Sequence, residues 1–276
     1  MIIRVESVET MIDDICDFLD IVPEYLKERI IDIADEAASE DDYSQSFLRL
    51  SEEFISENTG ESISEVYFCH LTRSIDRPSI LLPLKTLLTT NNSFTDFLKE
   101  HSLEFEVENS ELVMKYNGNP VPRDRVYDRK KWDNNHARLA GRLGWLGEKD
   151  FCVNGFLHVV EPEKSTDVYF RYLMDGPELL RDLDAFFHTN MCGEYCKKSK
   201  YYCAIAKVKL HDVIFDERSD LNVQGDRTKK YLSLCFEFLL SWYNQTKWSN
   251  ILHNERLRLD DYSSLAVDHY IEFTDN

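Results

Sequence analysis

Glycine and proline are scarce, nine and seven in 276 residues, which argues against a many-turned β-sandwich and for a helix-rich chain. No uninterrupted apolar run approaches the roughly 18 residues that a membrane helix needs, so no membrane contact is expected. Met1 to Asp14 lack a basic stretch followed by a long apolar one, so a secretory leader is not expected either. Internal repeats and low-complexity segments are missing. So are Gly-x-Ser-x-Gly and His-Glu-x-x-His, which removes two common hydrolase signatures. A soluble, cytoplasmic protein is expected.

What is present suffices for a sizeable core: 43% hydrophobic and 12% aromatic residues, in a length that suits one large domain or two small ones. The net charge of −19 is unevenly placed. Residues 1–65 hold 19 acids against four cations, while residues 115–149 hold nine cations against four acids. An acidic head and a basic middle bear on partners and solubility rather than on fold.

Apolar spacing predicts a helix over 7–20 behind Ser7, a second opened by Pro23, and a third from about Tyr43 to Glu57. An acidic helical unit over 1–61 is expected, followed by a mixed-sheet α+β domain over 62–276. In that domain Val66–Arg73 reads as a strand, and Ile80–Leu88 is an apolar run. A short helix is expected near Phe94–Glu100, and Leu103–Val107 with Leu112–Tyr116 reads as a hairpin about Asn109-Ser110. Residues 117–135 read as a long polar loop. A helix then ends at Gly141 and Gly144, which act as a cap and turn and not as a dinucleotide fingerprint. Gly155–Val160 and Tyr201–Leu210 read as strands, Pro177–Phe187 and 227–249 as helices, and Val267–Phe273 as a closing strand.

The densest polar chemistry stands at the end of the first strand. His70 and Thr72 share one face of a strand, with Leu71 and Arg73 on the other. A neutral imidazole donates and accepts at once, and a neighbouring hydroxyl can fix its tautomer or meet a ligand hydroxyl. The pair suits a polar ligand such as a ribose. A strand-end histidine satisfied by backbone groups is the plainer reading.

A strand ending in His70-Leu71-Thr72 resembles the first motif of the ADP-ribosyltransferase fold, as in RNA 2′-phosphotransferases and DNA-modifying ADP-ribosyltransferase toxins. The order that follows is similar: Ser79-Ile80-Leu81-Leu82, the strand about Gly155, the helix Pro177–Phe187 and the strand Tyr201–Leu210. Pro83-Leu84-Lys85 stands where that family usually has a glycine. The resemblance implies an NAD-using transferase with NAD as co-substrate, in which His70 holds the ribose with Thr72 and Arg73 beside it. It implies an aromatic such as Tyr169 or Tyr172 stacked on nicotinamide. It also implies a catalytic glutamate, Glu272 or else Glu217, that stabilises the oxocarbenium-like transition state. The target would be a protein, a nucleic acid or a small molecule, and toxin or phage-conflict biology fits a chain with no housekeeping motif.

Other features read more plainly. The basic middle (Arg123, Arg125, Arg129, Lys130, Lys131, Arg138 and Arg142, interleaved with Tyr127 and Trp132) can pair with the acidic head, bind a phosphate-bearing ligand, or form a solvated loop. His188, Cys192, Cys196 and Cys203 suggest zinc. On one continuous helix, however, positions i and i+8 lie about 12 Å apart, and a second Cys pair is absent. No metal is expected, and the seven cysteines read as separate, mostly buried thiols. Asp182 and Asp184 are expected to be solvated. The rival to an enzyme is a non-catalytic inhibitor or interaction protein that engages a basic protein partner through acids such as Asp13, Asp14, Asp17 and Asp20.

Overall fold

The structure, a computed structural model, describes residues 1–123, 134–147, 151–159, 174–215, 226–244 and 255–273. Ser7 accepts from the Thr10 amide and opens α1 (Val8–Leu19). Pro23 begins α2 (Pro23–Ala37), in a first turn where its missing N–H leaves no bond unmade. Asp42 accepts from Gln45 and caps α3 (Tyr43–Asn58). After β1 (Glu65–Ser74), the apolar run from Ile80 divides at Pro83 into β2 (Ile80–Leu81) and α4 (Leu84–Thr89). Asn92 takes the Phe94 and Thr95 amides to start α5 (Ser93–Glu100).

A meander follows: β3 (Leu103–Glu108), β4 (Glu111–Tyr116) and β5 (Asn119–Pro120). Its first turn holds Asn109 and Ser110 at φ 50° and 68°, and its second holds Asn117 and Gly118 at φ 51° and 74°. Two positive-φ residues per turn match the right-handed strand twist. The second hairpin takes up the start of the expected 117–135 loop. Asn and Gly supplied the signal for it, but a two-residue strand is too short to show a period. Next come α6 (Asn134–Arg142), β6 (Asn154–Phe156), α7 (Glu178–Phe187), α8 (Met191–Lys198), β7 (Lys200–Lys209), β8 (Ile214–Phe215), α9 (Arg227–Tyr243), β9 (Arg256–Arg258), β10 (Leu265–Ala266) and β11 (His269–Phe273). At the end of α6, the Trp145 amide reaches Ala140 and the Gly144 amide reaches Gly141, with Gly144 at φ 69°. That is a Schellman cap, the turn expected of these glycines.

The fold is α+β. A mixed sheet was expected, whereas the pairings of β1 with β6, β6 with β9, β9 with β8, β3 with β4, β4 with β5 and β2 with β10 are all antiparallel. Among the described residues no helix is long and apolar enough to cross a membrane.

Contacts divide the chain into two units, and neither is continuous in sequence. The first comprises Met1–Cys69, Asn154–Asp167 and Ile205–Arg258. The unit that holds the acidic helices therefore does not stop at residue 61. The reason lies in their apolar faces: α2 and α3 pack against α9, with the Phe54 ring 6.0 Å from Tyr25 and 6.1 Å from Phe236. Its strand order is β7-β1-β6-β9-β8. Cys69 lies opposite Phe156 where β1 meets β6, and Gly155 leaves room for the fully buried Phe68 ring. Asp14 is buried and accepts a bidentate bond from Arg4, so it is no part of the exposed acidic face that was expected to include it.

The second unit comprises His70–Val153, Val168–Ala204 and Leu259–Asn276. Its core gathers Leu98, Leu103, Met114, Leu139, Leu180 and Leu183 from α5, the meander, α6 and α7. Asp184 is not the solvated acid that was expected. Its carboxylate accepts from the Met191 and Cys192 amides at 2.6 and 2.9 Å, and so caps α8 from outside. His188, in left-handed conformation, ends α7, so the break between α7 and α8 falls before Gly193.

Candidate functional site

Within the second unit, the end of β1 opens on a cavity of about 260 Å³. β1 lines it with His70 and Thr72, both half-buried and on one strand face, and with Leu71 and Arg73 from the alternate positions. The apolar run supplies Leu81, Leu82, Leu84 and Leu87. That segment is held by backbone contacts: Leu81 pairs with Leu265 and Ile80 with Ala266, the Val267 amide reaches Ser79, and the Leu84 amide reaches Phe151. Pro83, extended at ψ 145°, turns the chain from β2 into α4, so a strand and a helix present their leucines to one space. Phe94 from α5 and Tyr195 from α8 line the cavity and meet edge to face at 5.4 Å. The Tyr195 hydroxyl donates to the Arg73 carbonyl, and burial pushes the phenol well above its ordinary pKa.

The polar part of the lining is completed by Arg142 from the end of α6 and Glu178 at the start of α7. Arg142 donates through Nη2 to Glu178 and through Nε to Asp182 Oδ2 at 3.0 Å. Burial works against the guanidinium's charge, but Glu178 and Asp182 outweigh it and raise its pKa. Asp182, expected to be solvated, is 4% exposed. Burial raises its pKa, and Arg142 opposes that rise. Asp182, the buried acid of α7, faces inward where a cation from α6 meets it.

The expected site residues separate. His70 and Thr72 stand together on the cavity. Arg73 also borders the cavity, but it is buried and its guanidinium is spent inside the fold, donating to the carbonyls of Met174 at 3.1 Å and Cys196 at 3.2 Å and to Ser199 Oγ at 3.3 Å. It neutralises the carbonyl end of α8, a position that favours a cation. Glu272 is not part of the lining. It lies on β11, bonded to Lys200 at 2.6 Å and Arg77 at 2.5 Å, and these cations hold its carboxyl below the usual range. Glu217, Tyr169 and Tyr172 lie outside the described residues, as do Arg125, Arg129, Lys130, Lys131, Tyr127 and Trp132. Of the basic middle, Arg123 pairs with Glu111 and Arg142 with Glu178 and Asp182, none of them in the acidic head. Among the described residues no cluster of three metal-ligating side chains occurs.

Glu178 and Tyr195 were not foreseen. The signal for Glu178 was a carboxylate directly after Gly176-Pro177, where a helix begins. Tyr195 carried none, because helical phase alone does not say which buried tyrosine borders a void. Arg142 was noted only as one cation among seven.

No family model, curated protein or solved structure matches the chain.

Proposed function

We propose that this chain is an NAD-using, ADP-ribosyltransferase-like enzyme whose cavity at the end of β1 receives the nicotinamide–ribose half of NAD. The observation that carries this reading is the presence of His70 and Thr72 on one wall of a largely apolar cavity that also has a cation and a carboxylate. At about 260 Å³ the space lies just below the usual range of small-molecule sites, about 300–1,000 Å³, and suits one nucleoside-sized group. His70 and Thr72 hold ribose hydroxyls. The leucines of β2 and α4, with Phe94, exclude water from the uncharged nicotinamide face. Asp182 keeps Arg142 in place through Nε, leaving Nη2 to exchange Glu178 for a pyrophosphate oxygen. Glu178, so released, faces the positive charge that develops on the sugar as nicotinamide leaves. In this reading Glu178 takes the part that the family resemblance assigned to Glu272.

Calorimetric titration with NAD and a nicotinamide-release assay test the reading, with His70→Ala and Glu178→Gln variants of native circular dichroism. Binding by the wild type, weakened in His70→Ala, together with release lost in both variants, is the expected result. Neither binding nor release by the wild type refutes it.

An acidic interaction protein, a non-catalytic inhibitor of a basic protein partner, keeps support from a different place. Around the α1–α2 junction, Val22 is 60% and Tyr25 46% exposed, flanked by the exposed Asp17, Asp20, Glu24 and Glu28. An apolar pair rimmed by acids fits a partner whose surface is basic around an apolar centre. Its test is loss of binding to that partner when Asp17, Asp20 and Glu24 are neutralised, with Asp14 left intact because it pairs internally.

A further inference from the structure

Two of the seven cysteines are not separate thiols. Cys192 and Cys196 stand one turn apart on α8, and both thiols donate to a single acceptor, the Asp175 carbonyl, at 3.5 and 3.7 Å. The chain makes room for this pair. Gly176 holds φ +117°, and a Cβ there would lie 2.3 Å from Cys192 Sγ and 2.9 Å from Cys196 Sγ. Backbone conformation and space both require glycine next to the two sulfurs. Cys192 is 6% exposed, while Cys196 is half-buried and gives the pair its access to solvent.

A disulfide does not suit the geometry. Residues i and i+4 of a helix keep their Cβ atoms about 5–6 Å apart. A disulfide draws them to about 3.5–4.5 Å. An atom set between the sulfurs needs no such contraction. Zinc is a poor fit, since its structural sites take four ligands and two sulfurs with one carbonyl fall short. Soft thiolates with few competing ligands select a soft, low-coordinate cation, and among biological metals that is Cu(I).

We propose that Cys192 and Cys196 form a two-thiolate site for Cu(I), with the Asp175 carbonyl beside the ion. On binding, the two S–H bonds break, two S–Cu bonds form, and both protons leave to solvent. The oxidation state of the metal does not change. The ion joins α8 to the Asp175–Gly176 turn that leads into Pro177 and α7. The site is independent of the proposed NAD chemistry.

The test is competition between the reduced full-length chain and a colorimetric Cu(I) chelator, under anaerobic conditions with Cu(I) alone as probe. Withdrawal of one equivalent by the wild type is expected, with Cys192→Ser and Cys196→Ser each abolishing it and Cys235→Ser leaving it unchanged. Because a serine variant can fail to fold, the wild type is also loaded with one equivalent of Cu(I), alkylated, and mapped by mass spectrometry. Selective protection of Cys192 and Cys196 is expected. No withdrawal from the chelator, or protection that falls on other cysteines, overturns the site.

Discussion

Replacing Arg142 by methionine tests the reading of the α6–α7 contact most sharply. The substitution keeps the length and apolar stem of the side chain and removes the charge. Asp182, 4% exposed, is then left inside the second unit without its cation. Breaking a buried pair from one side costs about 3–5 kcal/mol when both charges are fully enclosed. Here the Arg142 side chain is 24% exposed and Glu178, at 32%, can turn to water, so about 2 kcal/mol is the reasoned figure at pH 7. In urea, with a slope of about 2 kcal/mol per molar, the midpoint falls by about 1 M.

The pH dependence supplies a second, independent sign. Burial already raises the Asp182 pKa in the folded state, and removal of Arg142 takes away the opposing attraction. A group with a raised folded pKa binds its proton more tightly when folded, so the penalty is present above that pKa and relieved below it. The deficit of Arg142→Met is therefore largest near neutrality and shrinks toward pH 4. Arg142→Met/Asp182→Leu recovers most of the loss, because an apolar pair of similar volume replaces the ion pair. A midpoint within about 0.2 M of wild type at pH 7, where about 1 M is expected, refutes the reasoning.

Two further predictions concern the first unit. Gly155→Ala places a Cβ 2.4 Å from the Phe68 ring, which is fully buried and has nowhere to turn, so a loss of about 1–3 kcal/mol is expected in urea unfolding. Phe68→Leu in the same chain should remove part of that added penalty, and additive losses would deny the contact. His158 is buried, stacked on Phe238 at 4.3 Å, and burial lowers its pKa to about 4 from an ordinary 6.5. A depressed folded pKa means that stability is full above about 6.5 and is lost as the pH falls toward about 4, by about 3 kcal/mol from this group. His158→Phe should flatten the stability profile across that window, and an unchanged profile would show that other groups govern it.

Much of the local structure was legible because it is written in adjacent residues. Ser7, Pro23, Asn92 and the glycines at 141 and 144 mark helix ends through bonds made within a few positions. The β3–β4 hairpin was legible for the same reason, since Asn109 and Ser110 tolerate positive φ between two alternating runs. The shared face of His70 and Thr72 followed from the strand period alone.

What failed to show was everything that depends on a distant partner. An acid on the inner side of an amphipathic helix reads as solvated until a cation from 40 residues away meets it, as Arg142 meets Asp182. Arg73 read as a ligand group until Met174, Cys196 and Ser199 consumed its donors. Two cysteines one turn apart read as separate thiols until a glycine from another segment made space beside both.

By itself, then, the amino-acid order determined where the capped helices begin or end, where the β3–β4 hairpin turns, and which side chains of β1 share a face. Those outcomes rest on interactions across one turn or one pleat. Only the tertiary structure decided that the acidic helices share a unit with α9, and that Glu178 rather than Glu272 borders the His70 cavity. Such outcomes rest on burial between remote segments, where charge, volume and hydrogen-bonding capacity must be satisfied together.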